Sequence, residues 1–235
     1  MSKKFIDIEE NNQFGLSTGD LMAALLLIFV LLLIGTMLKL QEEFDSKSDI
    51  AERYKELQID IYNDLYKEFE NDLEIWQAEI DSSLTIRFKE PDVLFDAGKS
   101  KLKESFSNIL IDFFPRYINV LQNEKYIDHI KEIRIEGHTS LEGKKGMDDD
   151  DAYFYNMKLS QDRTRSVLQF CLKELDRDVF EWTRDRTTAN GLSSVKPITD
   201  NETEFGRKHN RRVEFRIKTD AEEQIRKMLL YAENQ

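Results

Sequence analysis

Hydrophobic positions fall into three regimes along this chain, and each predicts a different kind of element. The first is an unbroken run, Leu21–Leu38, eighteen residues without a charge. A helix that crosses a bilayer needs about 20 apolar residues. Extending the run back through Asp20 to Leu16 supplies them. Residues 16–38 are therefore predicted as a membrane span, and residues 1–15 as a polar tail. The apolar stretch of a cleaved signal peptide is shorter and ends in a small-residue cleavage site. Here Lys39, Glu42 and Glu43 follow instead, which favours a retained anchor. No second run of this kind occurs, so a polytopic transporter is excluded.

The second regime is a stripe: Tyr54, Leu57, Ile61, Leu65, Phe69, Leu73, Trp76 and Ile80, in steps of three and four. That spacing is helical, and no Gly or Pro interrupts it. Residues 39–83 are assigned to a helical linker. Its stripe either packs on the chain's own domain or joins two copies of the chain. The steps are not a strict heptad, so no coiled coil is predicted.

From Leu84 the periods shorten. Leu84–Lys89 alternates like a strand, Asp96–Gly98 reads as a turn, and Lys101–Gln122 as an amphipathic helix bent at Pro115. Ile130–Glu136 alternates apolar and charged residues, as a half-buried strand does. A polar loop, Gly137–Asp151, leads to a helix over Asp151–Leu175. A short strand near Thr187–Asn190 and a clear one at Arg212–Lys218 follow. The order strand, helix, strand, helix, strand, strand predicts an α+β domain over 84–218, with helices covering one sheet. A last helix is assigned to 219–235.

Composition sharpens this. Charged residues make up 34% of the 235, with 34 basic against 46 acidic side chains and a net charge of −12. Such a balance argues against nucleic-acid binding. The acidity is local: residues 39–80 alone carry 13 acidic and 5 basic side chains. One cysteine, Cys171, excludes an intramolecular disulfide but leaves the compartment open. Lys3 and Lys4 on one flank of the span nearly balance Lys39, Lys47 and Arg53 on the other, so charge alone barely orients it.

Few residues carry candidate chemistry. Asp20 stands at the mouth of the span. It either caps the helix start with Ser17, Thr18 and Gly19, or is an intramembrane carboxylate that exchanges an ion. In the domain, Gly137-His138-Thr139 precedes Tyr155-Asn156 and Leu159-Ser160-x-x-Arg163, and Gly206-Arg207-x-x-Asn210-Arg211-Arg212-Val213-Glu214 follows. Asn156, Leu159 and Arg163 share one helix face. Arg163 either clamps a ligand carboxylate or pairs with an acid of its own domain. His129, His138 and His209 lack metal-ligand spacing with Cys171. Asp148–Asp151 lacks the alternating ligands of a calcium loop. No nucleophile elbow, Walker A loop or H-E-x-x-H motif occurs. Neither an enzyme nor a bound metal or cofactor is predicted.

These motifs carry a resemblance. Asp20-Leu-Met-Ala-Ala-Leu resembles the start of the span in MotB-type stator subunits. VLFDAGKSKL (Val93–Leu102), GHT, N-x-x-L-S-x-x-R and NRRVEF occur in the order found in the OmpA/MotB peptidoglycan-binding domain. The resemblance implies a single-pass inner-membrane subunit with its N-terminus cytoplasmic and its domain periplasmic. It implies a homodimer inside a ring of A-type membrane subunits, with Asp20 carrying a proton (sodium being the alternative). It implies peptidoglycan binding by His138, Thr139, Ser140, Tyr155, Asn156, Leu159, Arg163, Asn210 and Arg211. One departure stands out: Ser140 occupies the place where the family usually has an aspartate, which contacts the ammonium of the stem peptide. Glu142 and Asp148–Asp151 lie in the loop that follows. The short tail and acidic linker look most like the B subunit of Zorya-type anti-phage motors. A flagellar-type stator subunit and a passive wall anchor remain the alternatives.

Overall fold

The computed structural model describes residues 2–89, 94–221 and 226, with side chains from Gly19 onward except those of 43 and 46–51. The chain divides into two units, 1–52 and 53–235. Helix α1 (Ser2–Phe69) supplies the described structure of the first unit and enters the sequence of the second. Within it, Gly19–Glu42 is long and apolar enough to cross a membrane. Its leucines and isoleucines are exposed, with no protein core to enter. Because the helix starts at Ser2, Ser17–Asp20 is not a helix start and Asp20 is not an N-cap. That removes the structural alternative for this carboxylate.

The second unit is an α+β sandwich. Its elements are β1 (Ala78–Asp81), β2 (Thr85–Phe88), α2 (Glu104–Leu121), β3 (Ile130–His138), α3 (Asp149–Lys173), α4 (Arg177–Arg186), β4 (Thr187–Gly191), α5 (Glu204–Asn210) and β5 (Arg212–Thr219). The sheet order is β1-β2-β5-β3-β4. β3 and β4 are parallel; the other pairs are antiparallel. Helix α2 runs through Pro115 without interruption. Three elements differ from the sequence reading. The helical stripe predicted a helix to Ile80, but α1 ends at Phe69 and residues 78–81 form β1. Backbone at Gln77 (φ 52°) and Leu84 (φ 60°) turns left-handed on either side of β1, and pairing with β2 captures Ile80 opposite Ile86. The linker drawn over 39–83 is thus not one element. Helices α4 and α5 were not predicted. Most of the assigned terminal helix, 219–235, lies outside the described residues.

One sheet face builds the core. Ile86, Phe88, Ile133, Ile135, Val213, Phe215 and Ile217 are buried together with Phe106, Leu110, Phe113 and Phe114 of α2. Phe113 sits at the centre, with ring centroids 5.0 Å from Phe88 and Phe215, 5.1 Å from Tyr117 and 5.2 Å from Phe69. Ile61, Leu65 and Phe69 of α1 belong to the same core. This part of the acidic stripe therefore packs on its own domain. Polar contacts add to it: Tyr126 Oη donates to Asp64 Oδ2 at 2.6 Å, and Arg116 Nε donates to Glu68 Oε1 at 2.7 Å.

The opposite sheet face is charged. Alternation places Arg134, Glu136 and His138 of β3 beside Arg216, Glu214 and Arg212 of β5 in register. Arg87 of β2 stands opposite Glu214. Glu136 and Glu214 are nonetheless buried, because the arginines lie over them.

Phe113→Ala is expected to cost about 3–5 kcal/mol of unfolding free energy. Ile111→Ala, on the exposed side of the same helix, should cost about 0.5 kcal/mol or less. Chemical denaturation followed by tryptophan fluorescence checks the contrast.

Candidate functional site

The ends of β3 and β4 and the first half of α3 are drawn together by two missing side chains. A Cβ on Gly137 would lie 2.7 Å from Thr164 Cγ2 and 3.0 Å from the Ser160 carbonyl oxygen. A Cβ on Gly191 would lie 2.6 Å from Gln161 Cα. Hydrogen bonds then fasten the strand ends. Leu192 N donates to Gly137 O (2.9 Å), Thr139 N to Ser193 O (2.9 Å) and Ser193 N to Ser160 Oγ (3.0 Å). Helix α3 begins with Asp148 as its cap, accepting from Asp151 N at 2.8 Å. Asp149–Asp151 form its first turn, where carboxylates favour the helix dipole. The acid run thus starts a helix two residues earlier than predicted.

Arg163 is the central group. Its residue is only 6% exposed. Nε donates to Lys99 O at 2.9 Å and Nη2 to Asp96 O at 3.3 Å. The guanidinium carbon lies 4.8 Å from the Phe95 ring centroid. Among the described residues it forms no ion pair, and its Nη1 makes no hydrogen bond. The alternative that Arg163 pairs with an acid of its own domain is therefore overturned. Burial pulls its pKa down to about 10; Tyr155 opposes the fall and the Arg211 charge adds to it. A cation held in a low-dielectric place without a counter-charge favours an incoming anion.

The remaining residues divide by role. Asn156 is buried, and its Nδ2 donates to Ser140 O (3.1 Å) and Glu142 O (3.0 Å). It shapes the loop after β3. Asn210 is buried too: its Oδ1 accepts from Ile198 N (2.8 Å) and Thr199 N (3.1 Å), and its Nδ2 donates to Thr199 O (3.1 Å). It shapes the loop before α5. Tyr155 is half-buried beside Gly98, with Lys144 Nζ 4.7 Å from its ring centroid. Leu159 is half-buried, and Thr139 is buried with its hydroxyl unpaired. His138 turns to the charged sheet face, 3.6 Å from Glu214 and 3.8 Å from Glu136.

Ser140 and Arg211 do meet, with Arg211 Nη1 3.5 Å from Ser140 Oγ. Glu142 joins them, 3.0 Å from Arg207 Nε and 3.8 Å from Arg211 Nη1. Hydrogen bonds from Arg211 and Arg207 hold the Glu204 carboxyl below its ordinary range. Sequence reasoning did not single out Arg207, although its motif was in view. It also missed the carbonyls of Asp96 and Lys99, for which side-chain patterns carry no signal.

The OmpA family matches residues 94–211, which include these groups except Glu214. Zorya protein ZorB of Escherichia coli is 43% identical over 224 residues, covering 94% of each chain. Outer membrane porin F of Pseudomonas aeruginosa is 34% identical over 133 residues, 55% of this chain and 31% of that protein. Among solved structures, a putative MotB-like protein from Desulfovibrio vulgaris shares the fold. Its TM-score is 0.53 at 24% identity, over 72% of this chain and 98% of that one. Together the full-length match to ZorB and the OmpA match across the site place this chain in the ZorB family of Zorya proteins, with an OmpA-family domain.

Proposed function

We propose that this chain is the B-type subunit of an ion-driven inner-membrane motor in Zorya-type anti-phage defence. In this reading α1 crosses the membrane once, with its N-terminus cytoplasmic and the OmpA-family domain periplasmic. The domain grips peptidoglycan, so that A-type subunits arranged around a homodimer turn against a fixed point. The observation that carries the wall-binding half is Arg163: a buried guanidinium, without an acid partner among the described residues, at the edge of a loop cluster. A stem-peptide carboxylate supplies the missing charge. Arg211, beside Ser140, adds a second donor. Glu142, whose carbonyl Asn156 holds, is the acid in reach of a stem-peptide ammonium, in place of the aspartate that Ser140 replaces.

The motor half rests on Asp20. A carboxylate within a membrane helix is costly, about 2.5–3.5 kcal/mol at the centre and less near an end. With the capping role removed, an ion-carrying role accounts for its place. A proton crossing the membrane releases about 2.3 kcal/mol per 100 mV, enough to bias one rotation step. The span's Thr36 is sixteen residues along the helix from Asp20 and donates to Leu33 O, so it is no sodium ligand beside Asp20. That favours a proton over sodium.

Two outcomes are expected. Asp20→Asn abolishes phage protection while the protein still inserts and assembles with its A-type partner; full protection by this variant would sink the motor reading in favour of a passive anchor. Arg163→Ala weakens retention on purified peptidoglycan sacculi by about 10- to 100-fold, the worth of a charge-assisted bond, and Arg163→Lys recovers part of it. Co-sedimentation measures both, and unchanged retention of Arg163→Ala contradicts the wall-binding role.

A further inference from the structure

On the charged sheet face, three polar atoms are buried without being used. Glu136 Oε2 and both ring nitrogens of His138 are buried and lack hydrogen-bond partners. His138 Nε2 lies 3.8 Å from Glu136 Oε2 and 3.6 Å from Glu214 Oε2. One ligand atom from each of these residues falls within a 4.8 Å circle. The two carboxylates are divided by oxygen. Glu214 Oε1 accepts from Arg212 Nε at 2.6 Å and Arg87 Nε at 2.7 Å, and Glu136 Oε1 faces Arg134 at 3.6 Å. The Oε2 atoms face inward, and among the described residues their only guanidinium neighbour there is Arg216, at 3.5 Å and 3.9 Å. Arg216 Nε is itself buried without a hydrogen bond.

We propose that Glu136, His138 and Glu214 form a divalent-cation site that takes zinc, with Arg216 as its displaceable cap. Imidazole with two carboxylates is a three-ligand set that zinc accepts, leaving a fourth position for water. Ligand atoms around tetrahedral zinc lie about 3.3 Å apart; the two His138–carboxylate separations need to contract by a few tenths of an ångström, and the two carboxylates, within 4.8 Å of each other, close further as Arg216 leaves. The outer oxygens, held by Arg212, Arg87 and Arg134, provide the second layer of bonds that orients metal-binding carboxylates. With Arg216 turned aside, five carboxylates (Glu79, Asp81, Glu132, Glu136, Glu214) face five cations (Arg87, Lys89, Arg134, Arg212, Lys218). Arg216 is one-third exposed at its side chain and has solvent to turn into. A bound ion would tie β3 to β5 beneath the loop that starts at Thr139.

The site joins residues 136, 138 and 214 across two paired strands, so spacing along the chain does not reveal it. The test uses untagged, full-length protein in detergent, stripped with a chelator and titrated with Zn²⁺, Mg²⁺ and Ca²⁺ separately by calorimetry. One Zn²⁺ per chain is expected, with affinity falling about tenfold or more in Glu136→Gln and in His138→Gln. Arg216→Ala is expected to bind zinc more tightly, because it removes the competing cation. It keeps all three ligands, so it decides the question if the other variants do not fold. Absence of zinc binding, binding unaffected by the ligand variants, preference for Mg²⁺ or Ca²⁺, or unchanged or weaker binding by Arg216→Ala would each overturn the proposal.

Discussion

The loop cluster depends on how closely α3 lies against the ends of β3 and β4. Gly137 and Gly191 permit that approach; any side chain at either position would meet the Ser160–Thr164 turn or the Gln161 backbone. Once the helix is seated, Ser160 Oγ reaches Ser193 N, and Asn156 reaches the carbonyls of Ser140 and Glu142. Arg163, two turns further along, is carried to the Asp96–Lys99 loop. The groups of the candidate site are thus placed by a helix–sheet contact rather than by the loops that display them. This is the arrangement that holds a site to a useful tolerance.

The domain treats buried charge in two opposite ways. Beneath the sheet, Glu214 is oversupplied: burial disfavours its charge, yet His138, Arg212 and Arg87 together outweigh burial and hold it well below the ordinary carboxylate range. Beside α3, Arg163 is undersupplied, with two carbonyls and an aromatic face in place of an acid. A buried charge that lacks a partner destabilises the empty protein. Under the proposed function, a ligand anion removes the same deficit on binding, so part of the cost is recovered as affinity.

Much of the fold was legible in the sequence. The uncharged run stood out because its length exceeds any core helix this polar chain can cover. β3 and β5 followed from strict alternation, and α2 from its apolar face. The stripe through Ile80 misled because a helix and a short edge strand can both bury a residue every few positions. Ile80 alternates with Glu79 and Asp81 as a strand residue, which a list of apolar steps hides. Candidate site residues were named by motif, but their local partners were not legible. Asn156 and Asn210 have the composition of ligand contacts, and their side chains clamp loops. His138 points to the other side of the sheet. Only the hydrogen-bond partners separate these roles, and those partners are mostly backbone carbonyls.

The polar contacts near the start of the second unit bear on how load travels through it. Ile61, Leu65 and Phe69 are as deeply buried as any residue of the sheet. Asp64 is tied to Tyr126 and Glu68 to Arg116, whose guanidinium also lies over the Phe69 ring at 5.0 Å. Under the proposed function, a pull on the wall-binding loops passes through α3 and the sheet into the aromatic cluster around Phe113. From there it reaches residues 53–69 through packed side chains rather than through a flexible tether. An apolar core resists such a load cooperatively, because no single contact can yield without opening a cavity among its neighbours. A wall anchor needs that property more than it needs tight binding: a fixed point that stretches would let the motor's work go into the domain instead of its ring.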